Sequence, residues 1–154
     1  MKKKLITTAM AAMAIATIGL STKINASNQD RPYEFHFIGG TAVTDRQVKE
    51  DDTSLYMHFM LGTATEYEAH AVGWKYGQVF ETDCSSDPAT PKKHYHYKFE
   101  KGQKRFMYNY VRERNCPLAG VRAEGISGQS ASGVWSPDSV YEAGVIPASD
   151  YIIR

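Results

Sequence analysis

Apolar and polar residues alternate with a period of two along much of this chain, and that period predicts strands. The clearest case is Lys93 to Glu113. Tyr95, Tyr97 and Phe99 alternate with His94, His96 and Lys98. After a polar break at Glu100 to Gln103, Phe106, Tyr108 and Tyr110 alternate with Arg105, Met107, Asn109 and Val111. Two such runs around a short break predict a β-hairpin. An even loop pairs Tyr97 with Phe106 and Tyr95 with Tyr108. It gathers all these aromatics on one face, at roughly 0.2–1 kcal/mol per cross-strand pair. A three-residue loop would set Tyr97 opposite Arg105 instead. A slip of one residue turns a whole side-chain set to the wrong face, so the even loop is expected.

The rest of the chain reads the same way. Tyr33 to Ile38 alternates and stops at Gly39-Gly40. Thr41 to Thr53 is polar and reads as a long loop. In Ser54 to Leu61, the residues Leu55, Met57, Phe59 and Leu61 are expected inward. Tyr67 to Trp74, Gln78 to Thr82, Leu118 to Ile126 and Gly133 to Trp135 complete the expected strands, and Ser136-Pro137-Asp138-Ser139 is a turn. No stretch has a helical period. Seven or eight short strands separated by turn residues predict one antiparallel β-sandwich with no second domain.

The N-terminus departs from this pattern. Lys2, Lys3 and Lys4 precede an uncharged run from Leu5 to Leu20, and Ile24-Asn25-Ala26 ends on a small residue. These are the parts of a secretory signal peptide, residues 1–26, ahead of a mature domain at 27–154. The run falls short of the ~20 residues that span a bilayer, so a released, secreted protein is expected. Removing the segment takes four of the 18 basic residues, leaving 14 against 17 acids, a net of −3. That balance speaks against a nucleic-acid partner, and no membrane insertion is expected. Export also gives meaning to the two cysteines. Cys84 and Cys116 flank the expected hairpin and would pair as one disulfide, stabilising by roughly 3–4 kcal/mol in the chain-entropy model.

Candidate chemistry is sparse. His94 and His96 lie two apart on one strand and point the same way, a spacing that lets two imidazoles reach one zinc ion if another strand supplies a third ligand. His36, His58 and His70 are the other strand histidines. The acidic loops lack the spaced oxygen pattern of a calcium loop. The run Gly128-Gln129-Ser130-Ala131-Ser132 has Ser where a nucleophile elbow needs Gly. No motif points to catalysis, and no cofactor is expected. The aromatic row of the hairpin reads either as core or as a half-exposed ligand surface of Tyr95, Tyr97 and Tyr108, since tyrosine joins an apolar ring to a hydrogen-bonding tip.

The early Tyr33-Glu34-Phe35-His36-Phe37 strand, Val121-Arg122-Ala123-Glu124 and Ser132-Gly133-Val134-Trp135-Ser136-Pro137-Asp138-Ser139-Val140 together resemble a family of small secreted proteins of unknown function from Gram-positive bacteria. Some of these are found beside genes for lactococcin-type bacteriocins. The chain departs from that family in its two cysteines and its histidine-rich strand. The resemblance implies a secreted, non-enzymatic domain and no mechanism. Secretion, tyrosine density and the lack of catalytic motifs then lead to the expectation of a binding or accessory protein at the cell envelope, with a cell-wall glycan or a secreted protein as partner. The alternative is a small metal-binding protein or metalloenzyme using His94 and His96.

Overall fold

The computed structural model describes residues 29–154, so the expected signal segment lies outside the described residues. Eleven strands run in chain order: β1 (Arg31–His36), β2 (Thr41–Val43), β3 (Gln47–Val48), β4 (Leu55–Gly62), β5 (Glu66–Trp74), β6 (Thr82–Asp83), β7 (Tyr95–Glu100), β8 (Lys104–Met107), β9 (Leu118–Glu124), β10 (Ser130–Ser136) and β11 (Ile152–Ile153). They form a four-stranded sheet, β1-β10-β4-β8, and a seven-stranded sheet, β11-β7-β5-β9-β2, in which β3 also pairs with β9 and β6 with β5. Every pairing between these strands is antiparallel. The expected all-β architecture of two facing sheets is therefore what the chain adopts, with no helix among the described residues.

The core lies between the sheets and is mostly aromatic. Tyr33, Phe35 and Phe37 descend from the first strand onto Phe59, Tyr67, Tyr97, Phe99 and Trp135. Tyr67 stacks on Phe99 with ring centroids 5.2 Å apart, and its hydroxyl meets that of Tyr33 at 2.8 Å. Buried phenols need such partners, because an unsatisfied hydroxyl in an apolar interior costs about 1–3 kcal/mol.

The hairpin expectation is corrected. β7 and β8 do not pair with each other. β7 pairs with β5 and β11 in the large sheet, and β8 pairs with β4 in the small one. The polar break at Glu100 to Gln103 is a turn, closed by the Gln103 N–H donating to the Glu100 carbonyl at 3.0 Å, that carries the chain from one sheet to the other. On β8 the inward residues are Arg105 and Met107, while Phe106 faces out and packs on Tyr56. Arg105 is held in its buried place by Asp150, 3.0 Å away.

Four further differences are local. Leu61 is exposed rather than inward, because β4 carries a bulge: Leu61 pairs with Ser132 and Phe59 with Gly133, so Met60 is an extra residue that shifts the alternation. Gly133 permits this approach. A Cβ there would sit 1.9 Å from the His58 carbonyl oxygen. The expected loop at Thr41 to Thr53 contributes β2 and β3 to the edge of the large sheet, and the expected strand at Gln78 to Thr82 is reduced to β6. Finally, Cys84 and Cys116 are both buried free thiols, 4.3 Å apart, rather than a formed disulfide. They meet over Gly73 of β5, where a Cβ would lie 2.8 Å from the Cys116 Cβ and 3.0 Å from the Cys84 sulfur.

The Ser136-to-Ser139 turn closes the molecule at the far end of β10. Lys49 is fully buried there, and its ammonium donates to the Thr53 carbonyl at 2.6 Å, the Pro137 carbonyl at 2.7 Å and Asp138 Oδ1 at 2.7 Å. Asp138, equally buried, accepts the backbone N–H groups of Glu50 and Asp51 at 3.1 and 3.2 Å. The ammonium has three acceptors and the carboxylate three donors, the condition under which a buried pair survives desolvation.

Candidate functional site

β7 divides the chemistry between its two faces. Side chains alternate along a strand, so Tyr95, Tyr97 and Phe99 share the inner face while His96 and Lys98 share the outer one, as does His94 just before the strand.

The inner row leaves the core at its Tyr95 end. Phe99 and Tyr97 are fully buried, and Tyr95 is half-buried at the rim. There Tyr95 meets Tyr151 from the C-terminal tail edge-on at 4.6 Å between centroids, Tyr108 at 5.8 Å and Tyr110 at 6.2 Å; Tyr108 and Tyr151 are 6.2 Å apart. Four tyrosines thus form one patch, in which Tyr108 and Tyr151 are 40% and 37% exposed. Beneath it the Tyr97 hydroxyl donates to the Ala148 carbonyl at 3.0 Å and accepts the Tyr108 N–H at 2.8 Å. Tyr97 therefore ties the tail and the segment after β8 to the core. Burial, then the neighbouring Tyr95, pushes the Tyr110 phenol up to about 12. The structure brings Tyr95 and Tyr108 together and places Tyr97 as their support rather than as a contact surface. Tyr110 and Tyr151 join them. Tyr110 sits in the alternating run, but Tyr151 lies 56 residues beyond Tyr95 and nothing local in sequence links the two.

The outer row faces a fork in the sheet. β5 pairs with β7 through Ala69 and with β6 from Val72 onward, leaving His70 at the point where β7 and β6 diverge. His70 and His96 lie ring to ring there, centroids 4.4 Å apart. Both are more than nine-tenths buried, and the Nδ1 of each is buried without a hydrogen-bond partner. Burial first, then the neighbouring His96, holds the His70 imidazole down to about 4. Burial likewise lowers His96. His94 is placed differently: its Nδ1 lies 2.8 Å from Asp83 Oδ2 and 3.2 Å from Ser85 Oγ. The two histidines expected to share a metal thus have separate partners. His96 finds its neighbour in His70, whereas His36 pairs with Glu34 on the surface and His58 lies on the other sheet. Among the described residues, no three His, Cys, Asp or Glu side chains converge as a ready-made metal site.

Ion pairs surround the fork: Arg154 with Glu68, Arg122 with Glu81, and Lys98 with Glu66 at 2.7 Å. An open groove of about 340 Å³ runs past Glu68, Lys98, Glu124 and Arg154. A larger one, about 660 Å³, lies along β1 and β2 beside Met60 and Leu61 and touches neither cluster. No helix among the described residues is long and apolar enough to cross a membrane.

No curated protein and no solved structure matches the chain. A family model does, over residues 20–139, a span that includes β1 to β10, the histidine fork and the Lys49–Asp138 latch. The chain belongs to the family described as a protein of unknown function (DUF2712).

Proposed function

We propose that this protein is an exported, non-enzymatic binding module that acts at or outside the cell envelope and takes a cell-wall glycan on its tyrosine patch. The observation that carries this reading is the contact of Tyr95, Tyr108, Tyr110 and Tyr151 at one end of the sandwich. Tyrosine rings offer apolar faces to the C–H surfaces of a sugar, and their hydroxyls offer hydrogen bonds to its rim. A platform anchored through a buried residue such as Tyr97 loses little side-chain freedom on binding, which favours affinity. A secreted protein partner, including one from a bacteriocin system, is the other occupant that the sequence resemblance suggests.

Retention on purified cell wall tests the ligand. The wild-type protein should sediment with it, and Tyr108→Ala combined with Tyr151→Ala, both at exposed positions, should reduce retention at least about tenfold. Equal retention of the double variant, or none by the wild type, rejects the glycan reading; capture of a secreted protein by the same patch would replace it. Export has its own test. The form recovered from the culture medium should begin near Ser27 and, in that oxidising setting, lack two hydrogens because Cys84 and Cys116 have been oxidised to a disulfide. Recovery only inside the cell, with residues 1–26 retained and both thiols free, would reject export.

A further inference from the structure

We propose that His70 and His96 are protein ligands for a divalent transition-metal ion on the outer face of the seven-stranded sheet. This site is independent of the tyrosine patch. Buried polar atoms are almost always hydrogen-bonded, so two neighbouring imidazoles that both keep an unpartnered, buried Nδ1 ask for a common explanation. The centroids are 4.4 Å apart and the planes are tilted by 35°, a separation that one ion about 2.0–2.1 Å from a nitrogen of each ring can bridge once the rings turn toward it. Nδ1 can act as a ligand only if the proton resides on Nε2.

The charges around the fork are mixed. Asp83 of β6 bears on both rings, and Glu68 and Glu124 on His96, all favouring a cation; Arg122 opposes it at His70 and Arg154 at His96. Asp83 is already engaged, accepting the Ser85 N–H at 2.8 Å and facing His94. With Asp83 engaged, the two imidazoles are the donors that the fork itself offers to the ion. Two nitrogen donors without thiolate select copper, nickel or zinc over magnesium or calcium.

The test uses the full chain with Cu²⁺, Ni²⁺ or Zn²⁺ added alone. Calorimetric titration should find one ion per chain, with affinity falling at least about tenfold in His70→Gln and in His96→Gln but not in His36→Gln on the remote surface. Electron paramagnetic resonance of the Cu²⁺ form of the wild type should show coupling to two imidazole nitrogens, a readout that needs no variant to fold. Absence of binding, affinity unchanged in both buried variants, binding that follows His36, or coupling to fewer than two imidazole nitrogens would each overturn the proposal.

Discussion

Single side chains decide where this sandwich is rigid. The most exacting is Asp138, whose carboxylate accepts the Lys49 ammonium and the N–H groups of Glu50 and Asp51 in a site closed to solvent. The latch explains why the Ser-Pro-Asp-Ser turn stands out in the sequence: Pro137 supplies a carbonyl, Asp138 the charge, and the Ser139 N–H donates to Thr53 Oγ1 at 2.9 Å. Asp138→Ala takes away the nearest counter-charge of the buried ammonium, leaving it Asp51 at 3.8 Å, and should destabilise the fold by roughly 3–5 kcal/mol. Urea denaturation would show this as a lowered midpoint with an unchanged slope. Changing Lys49→Met together with Asp138→Leu removes both charges and should restore part of the loss. A double variant no more stable than Asp138→Ala would mean that the latch acts through its backbone hydrogen bonds and not through the ion pair. Gly133 is as demanding in the opposite sense. Any side chain there collides with the His58 carbonyl, so Gly133→Ala should unseat the β4 bulge and lower stability by about 1–3 kcal/mol, visible in the same measurement.

At the scale of elements, the Tyr97 hydroxyl couples three segments: β7, the tail at Ala148 and the chain at Tyr108. Tyr97→Phe keeps the ring in the core but leaves a carbonyl and an N–H without their partner, a loss of about 1–3 kcal/mol. Hydrogen exchange should rise at Tyr108 and around residues 148–153 while β5 and β9 stay protected; uniform loss of protection would show that the tail is not a separate unit. The same strand shows what was legible in the sequence. Alternation assigned the faces of β7 correctly, because a period of two is a property of one strand alone. It did not reveal the partner of that strand. The hairpin expectation assumed that consecutive strands pair, whereas the four-residue break between Phe99 and Lys104 crosses from sheet to sheet. The bulge at Met60 escaped for a related reason, since it is defined by two strands together. β2, β3 and β11 are two or three residues long and owe their existence to the edge they join. Of the candidate sites, Tyr95 with Tyr108 was visible as an aromatic row, while the contact of His96 with His70 depends on a fork that no local pattern announces.

For the whole molecule, the decisive fact is that phenols carry much of the core. Chain neighbours commonly sit in opposite sheets, as β4 and β5, β7 and β8, and β9 and β10 do, so the interior forms only when both sheets close on Tyr33, Tyr67 and Tyr97. Burial pushes all three phenols up from their ordinary value, well beyond the alkaline range in which an exposed tyrosine ionises, and carries Tyr110 to about 12. In the unfolded chain they ionise near pH 10. Between about pH 10 and 12 the unfolded state therefore releases protons that the fold retains, and stability falls as pH rises; below about pH 9 both states keep these protons and the contribution is complete. Urea midpoints measured at about pH 8, 9, 10 and 11 should be flat over the first two and then drop steeply. Tyr67→Phe removes one of these groups from both states and should shallow the drop, while its lost bond to Tyr33 lowers the whole curve. A midpoint that stays level through pH 11, or a Tyr67→Phe curve parallel to the wild type, would show that these phenols ionise in the fold as they do in the unfolded chain, and that the core is more open to water than the packing of Tyr67 against Phe99 and Tyr33 implies.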